Sequence, residues 1–228
     1  MVRSARPRRE TSGPRRNPGL KPRIALDVAA IAIAAGSAVA ISREVAEREL
    51  LGFDVSVPLA LHSVGPILDV PARFITMLGN GVAVFAIAGI AAALLALRGA
   101  RSWAWGVAFV AIGAGLIDLV LKLAFGRERP ELWARPPVAG FAFPSGHAME
   151  SAAVYFYLAA AVRAVAPPYG LLAIVVSVLL VAAIALSRVV LGVHWPSDVL
   201  GGVAIGYLLQ RLCALWASRA TKFAPADR

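Results

Sequence analysis

Cysteine occurs once in these 228 residues, at Cys213. A single cysteine excludes an internal disulfide and any cysteine-based metal cluster. Its place in the last apolar stretch reads as a small core residue. Charge is also scarce: Asp, Glu, Lys and Arg make up 16% of the chain, against 59% hydrophobic residues and a mean hydropathy of +0.74. That balance excludes an ordinary soluble domain and points to a membrane protein. Acidic residues number 13, without a cluster suited to two metal ions. Aromatic residues are missing from the basic N-terminal run. Eight of the 23 Lys and Arg residues lie in positions 1–23, along with Pro7, Pro14, Pro18 and Pro22. Bases would find no stacking platform there, so the net charge of +10 does not read as nucleic-acid binding. It reads as a disordered, basic cytoplasmic tail that sets topology and can touch anionic headgroups.

What the chain has in abundance is apolar length. A helix rises 1.5 Å per residue, so about 20 apolar residues cross the hydrocarbon core. Six stretches meet or approach that length: 24–42, 72–97, 103–124, 148–166, 171–187 and 197–217. The expected fold is an all-α membrane protein, a six-transmembrane helix bundle forming one domain at 24–218 between tails at 1–23 and 219–228. With the basic tail and both termini cytoplasmic, 15 cations fall inside and 8 outside, as the positive-inside rule requires. Trp103, Trp105 and Trp216 then mark the inner interface, and Trp133 and Trp195 the outer. Ala38-Val39-Ala40 resembles a signal-peptidase site, but Asp27 and the long lead-in favour a retained helix. Between the first two spans, residues 44–64 are of mixed polarity and predict a short extracytoplasmic helix and a loop, with His62 a surface residue.

Three polar blocks interrupt this pattern, each at the end of an apolar stretch. They are Lys122 with Arg129-Pro130, Pro144-Ser145-Gly146-His147, and Ser187-Arg188 with His194 and Asp198. The topology brings all three to one face. Helix openings favour anions, because free N–H groups and the helix dipole point outward there. Ser145 is a candidate N-cap, Gly146 lets the backbone approach a phosphate, and Pro196 suits a first helical turn. Lys122, Arg129 and Arg188 supply charge for a phosphoryl group and its transition state. One histidine must attack phosphorus while neutral; the other must protonate the leaving oxygen. Asp198 follows His194 by four residues, placed to accept a hydrogen bond from one ring nitrogen and leave the other to attack. His147 has no carboxylate in its block and is the better general acid. Glu150 either supports His147 or is a polar residue at the membrane surface. Asp118, four residues before Lys122, pairs with it or neutralises it. Arg127 and Glu128 are expected to face the loop, and Asn80 to line a lipid opening or join two helices.

The ordered set Lys-x6-Arg-Pro, Pro-Ser-Gly-His and Ser-Arg-x5-His-x3-Asp resembles the type 2 phosphatidic acid phosphatase superfamily. That family includes lipid phosphate phosphatases, bacterial undecaprenyl diphosphatases, glucose-6-phosphatases and vanadium haloperoxidases. Eleven specified residues match in order and spacing across 122–198. The resemblance implies that His194 is a nucleophile forming a phosphohistidine, oriented by Asp198. It implies that His147 acts first as acid and then as base for the hydrolytic water. Lys122, Arg129, Arg188, Ser145 and Gly146 would hold the phosphate, with Asp118, Pro130, Pro144 and Ser187 in support. It implies no metal and no other cofactor.

The expected activity is metal-independent removal of a phosphoryl or pyrophosphoryl group from a membrane lipid. Candidates are an isoprenoid diphosphate, phosphatidate or phosphatidylglycerophosphate, met on the extracytoplasmic face of a bacterial inner membrane. A lipid phosphotransferase would use the same phosphohistidine, and the sequence does not separate the two. A transporter would place its polar residues near mid-bilayer on broken helices, whereas these cluster at one surface. The known haloperoxidase type is soluble, and an inactive scaffold should have lost a histidine. The expected partners are the phosphorylated lipid and the bilayer, with no nucleic acid; oligomeric state is not encoded.

Overall fold

The computed structural model describes residues 20–133 and 138–223, and among these every regular element is helical. The elements are α1 (Leu20–Ala46), α2 (Gly52–Ser63), α3 (Asp69–Met77), α4 (Gly81–Leu97), α5 (Arg101–Phe125), α6 (Gly146–Val165), a 3-10 turn at Pro167–Tyr169, α7 (Gly170–Val190) and α8 (Pro196–Phe223). Most of the tail expected at 1–23, and residues 224–228 of the tail expected at 219–228, lie outside the described residues. α8 itself runs past 218 to Phe223.

Five helices, α1 and α5 to α8, are long and apolar enough to cross a bilayer. α3 and α4 meet the same test only as a pair, bent by 44°. The single span expected over 72–97 is therefore broken, and the cause is local. Asn80 sits between two glycines in an extended conformation, and its side-chain Oδ1 accepts a hydrogen bond from the Val82 N–H at 2.9 Å. That contact caps a new helix and ends the old one. Asn80 thus commits its Oδ1 to its own helix, with the side chain exposed. The bend delivers the Leu78 carbonyl to the Tyr155 hydroxyl at 2.6 Å and Thr76 to Arg188.

α6 is the central helix, packed against α4, α5, α7 and α8. Met149, Ala152, Ala153, Val154 and Tyr157 are buried along it. Small residues allow the close approach of α8. A Cβ added at Gly202 would lie 2.8 Å from the Ser145 carbonyl oxygen, and one at Gly206 would overlap the Met149 carbonyl. Without a hydrophobic drive between helices in lipid, such backbone proximity is what packing rests on. The outer surface carries Ile33, Val82, Leu94, Leu97 and Leu171, exposed as lipid-facing residues should be. The architecture is that of a multi-pass helical membrane protein. α5 and α7 end, and α6 and α8 begin, at the same end of the bundle.

Candidate active site

α5 supplies Lys122 in its last turn, ion-paired with Asp118 one turn earlier. α5 stops because Gly126 adopts a left-handed conformation (φ 56°) and its N–H caps the Lys122 carbonyl at 3.0 Å. Gly146, at the start of α6, lies directly against this pair. A Cβ there would meet Lys122 Nζ at 3.0 Å and the Asp118 carboxylate at 3.1 Å. The Lys122 ammonium is thus seated on the opening of α6, whose first N–H groups have no intrahelical partners.

The loop after α5 carries two arginines with different tasks. Arg129 donates from Nη1 to the Val193 carbonyl at 2.7 Å and stands 3.1 Å from His194 Nε2; its Nε donates to the Gly140 carbonyl at 3.0 Å. Arg127, expected to face the loop, is instead turned inward. It donates from Nη1 to Asp198 Oδ1 at 2.6 Å and Ser197 Oγ at 2.7 Å, and from Nη2 to Asp54 Oδ2 at 3.0 Å. Asp54, in α2, is fully buried and also accepts from the Ser197 N–H at 2.8 Å and the Ser197 hydroxyl at 2.7 Å. Asp54 therefore satisfies an orphan N–H at the start of α8 from another helix. Neither residue was picked from the sequence. The available signal was a carboxylate inside an apolar twelve-residue segment and a basic residue within the first polar block.

His194 is buried in the turn between α7 and α8. Its Nδ1 lies 2.8 Å from the Ala142 carbonyl, so Nδ1 carries the proton and Nε2 holds the free electron pair. This corrects the expected His194–Asp198 hydrogen bond: Nδ1 and Asp198 Oδ2 are 3.6 Å apart, too far for one. The carboxylate is engaged elsewhere, accepting from Arg127 and from the Trp195 N–H at 2.8 Å. Asp198 thus closes the backward half of a capping box on α8, and its backbone carbonyl accepts from the Ser145 N–H at 3.0 Å, tying the two helix openings together. Burial, then the charges of Arg129, Arg188 and Lys122, hold the His194 imidazole well below its ordinary pKa of 6.5; the Ala142 hydrogen bond opposes them but does not prevail. The ring is neutral at physiological pH.

His147, second residue of α6, interacts electrostatically with Arg188, His194, Lys122 and Arg129. Its ring packs on the α3–α4 break, where a Cβ on Gly79 would stand 3.4 Å from His147 Cβ and Cδ2. Glu150 faces Asp118 and Lys122 and lies near Gly81. Arg188 donates from Nη1 to Thr76 at 2.6 Å, while its buried Nε has no hydrogen-bond partner. Ser145 holds the N-cap position of α6, yet its buried hydroxyl caps nothing and has no partner. It is therefore a free donor in the site, which corrects its assignment as a capping side chain. Ser187 bonds the Ile184 carbonyl at 2.6 Å within its own helix, and Pro130 and Pro144, the latter after a cis peptide, are buried in the loop wall. His62 is exposed and stacks on Trp133 with centroids 4.2 Å apart. Among the described residues, no three His, Cys, Asp or Glu side chains come together as a metal-binding group.

Known proteins resemble this chain in sequence and in fold. The model of the PAP2 superfamily matches residues 103–222. Phosphatidylglycerophosphatase B of Bacillus subtilis (strain 168) is 37% identical over 98 residues, which cover 41% of this chain and 48% of that protein. The match thus spans about half of that relative. Decaprenylphosphoryl-5-phosphoribose phosphatase of Mycobacterium tuberculosis (strain ATCC 25618 / H37Rv) is 34% identical over 177 residues, 71% of this chain and 88% of the relative. Among solved structures, the transmembrane PAP2-type phosphatidylglycerolphosphate phosphatase from Bacillus subtilis superposes with a TM-score of 0.69 at 25% identity, covering 88% of this chain and 98% of the other. With a family model over more than half its length and its three polar blocks gathered at one end of a helix bundle, this chain belongs to the PAP2 superfamily.

Proposed function

We propose that this protein is a membrane lipid phosphatase that works through a phosphohistidine on His194, on the extracytoplasmic face. The observation that carries the reading is the His194 ring itself. Nδ1–H is anchored on the Ala142 carbonyl, the ring is buried and neutral, and Nε2 opens toward Arg129. In the resting site Arg129 donates to the Nε2 lone pair. A bound phosphate offers that guanidinium better acceptors and so releases Nε2 to attack.

The Nε2 electron pair forms a bond to phosphorus as the bond from phosphorus to the lipid oxygen breaks. His147 protonates the departing oxygen. The incoming phosphate dianion favours the protonated imidazole among three cations. Lys122, Arg129 and Arg188 balance charge on the equatorial oxygens, with the free Ser145 hydroxyl as a further donor. Neutral His147 then takes a proton from water, whose oxygen attacks phosphorus and displaces Nε2. Inorganic phosphate leaves, and both histidines return to their starting states.

The supporting comparisons are with proteins named for phosphatidylglycerophosphate and for a decaprenyl-linked phosphoribose. The substrate class is accordingly a phosphate on a lipid whose chain stays in the bilayer. The test is phosphate release by purified protein in detergent, over phosphatidylglycerophosphate, phosphatidate, an isoprenoid diphosphate and decaprenylphosphoryl-5-phosphoribose. At least one should be hydrolysed, with an acid-labile phosphoenzyme that His194→Ala abolishes. No release from the whole panel, or a phosphoenzyme that survives His194→Ala, would sink the reading.

A further inference from the structure

A second set of unsatisfied polar groups lies far from the catalytic end. Between α6, α7 and α8 is an open groove of about 720 Å³, within the roughly 300–1,000 Å³ range of ligand sites. Phe156, Ile174, Val178 and Leu215 give it an apolar wall; Arg163, Gln210, Arg211 and Asp27 give it a polar one. Gln210 follows Asp198 by twelve residues of α8, about 18 Å along the axis. The groove therefore opens into the opposite leaflet.

Gln210 is only 3% exposed, and its Oε1 has no hydrogen-bond partner. Arg211 Nε is buried and unpartnered too, although Nη2 pairs with Asp27 at 3.2 Å. In a bilayer no water relieves such groups, and hydrocarbon tails cannot. The basic N-terminal run would only add cations to a pair of arginines. Arg163 and Arg211 set against Asp27 leave the groove at net +1, which matches a headgroup of net −1.

We propose that this groove is a binding site for an anionic phospholipid in the leaflet opposite the catalytic end. Its phosphate oxygens accept from Arg163 and Arg211. The Gln210 amide, whose two ends exchange by rotation about χ3, presents an N–H to an ester carbonyl. One acyl chain lies along Phe156, Ile174 and Val178.

Native mass spectrometry of the full chain, released from detergent containing equal phosphatidylglycerol, phosphatidylethanolamine and phosphatidylcholine, tests this. Phosphatidylglycerol should be retained over the two zwitterionic lipids, and Arg163→Gln/Arg211→Gln should lower that retention by at least about tenfold, the scale of a lost charged hydrogen bond. Phosphate release should be unchanged in that variant, and Lys122→Gln should keep the lipid adduct, which places it away from the catalytic end. Arg163→Gln alone, at an exposed position, gives the same reading if loss of the Arg211–Asp27 pair disturbs the bundle. Equal retention of all three lipids, undiminished phosphatidylglycerol binding in the variants, or loss of the adduct in Lys122→Gln would overturn the proposal.

Discussion

Arg127 and Glu128 are neighbours in one loop, yet they belong to different classes of residue. Arg127 lies between two fully buried carboxylates, Asp54 and Asp198, while Glu128 is exposed. Breaking a buried ion pair by removing one partner costs about 3–5 kcal/mol, because the remaining charge stays uncompensated. Arg127→Ala should lower unfolding stability by about that amount, whereas Glu128→Ala should change it by less than about 0.5 kcal/mol. Thermal or denaturant unfolding in detergent reads both. His194 gives a pH dependence. Its folded pKa lies well below 6.5, so the unfolded chain binds the extra proton first as pH falls. Stability through this group is constant above the unfolded value and declines as pH drops below about 6.5. The wild-type unfolding midpoint should therefore fall between pH 7 and pH 5 by more than that of His194→Asn, which has no such proton to take up. Equal declines would refute it. At this scale the sequence was informative about residue type and poor about direction. The histidines, three cations and Asp198 stand out from an apolar background, but Arg127 and Asp54 become legible only when a loop and a separate helix fold onto the start of α8.

At the scale of elements, the partnership of α6 and α8 sets the site. Their openings are joined by the Ser145 N–H to the Asp198 carbonyl, and their axes close up over Gly202 and Gly206. Gly206→Ala puts a methyl group into the Met149 carbonyl, where backbone cannot yield as a side-chain end would. Overpacking of this kind costs about 1–3 kcal/mol, so the variant should unfold at a lower temperature and turn over more slowly with its catalytic groups intact. Unchanged stability and turnover would mean that the two helices are less tightly docked than this geometry requires. Apolar length predicted where helices run, but not the break in the second stretch. The Gly79-Asn80-Gly81 triplet was visible in the chain. Whether its side chain would cap its own backbone or reach another helix depends on how the triplet packs, and here Gly79 is pressed against Ile184 and His147.

At the scale of the molecule, the ends of α5 and α7 and the openings of α6 and α8 form one pole, and Arg98–Arg101 and the α6–α7 turn lie at the other. A Cys213→Ser background with a single cysteine introduced near Leu132 should react with impermeant thiol reagent in intact cells, and one introduced at Gly99 should react only after lysis. The opposite pattern would invert the proposed face. Sequence alone determined the helical membrane class and the three polar blocks. Length, hydropathy and spacing are local properties, and an apolar chain in a bilayer must satisfy its backbone within each helix. Tertiary structure decided which atoms meet. It gave the His194 Nδ1 proton to the Ala142 carbonyl instead of Asp198, turned Arg127 inward, and left Ser145 free. The physical reason is that a hydrogen bond is settled within a few tenths of an ångström, and such distances depend on how separate helices and loops pack.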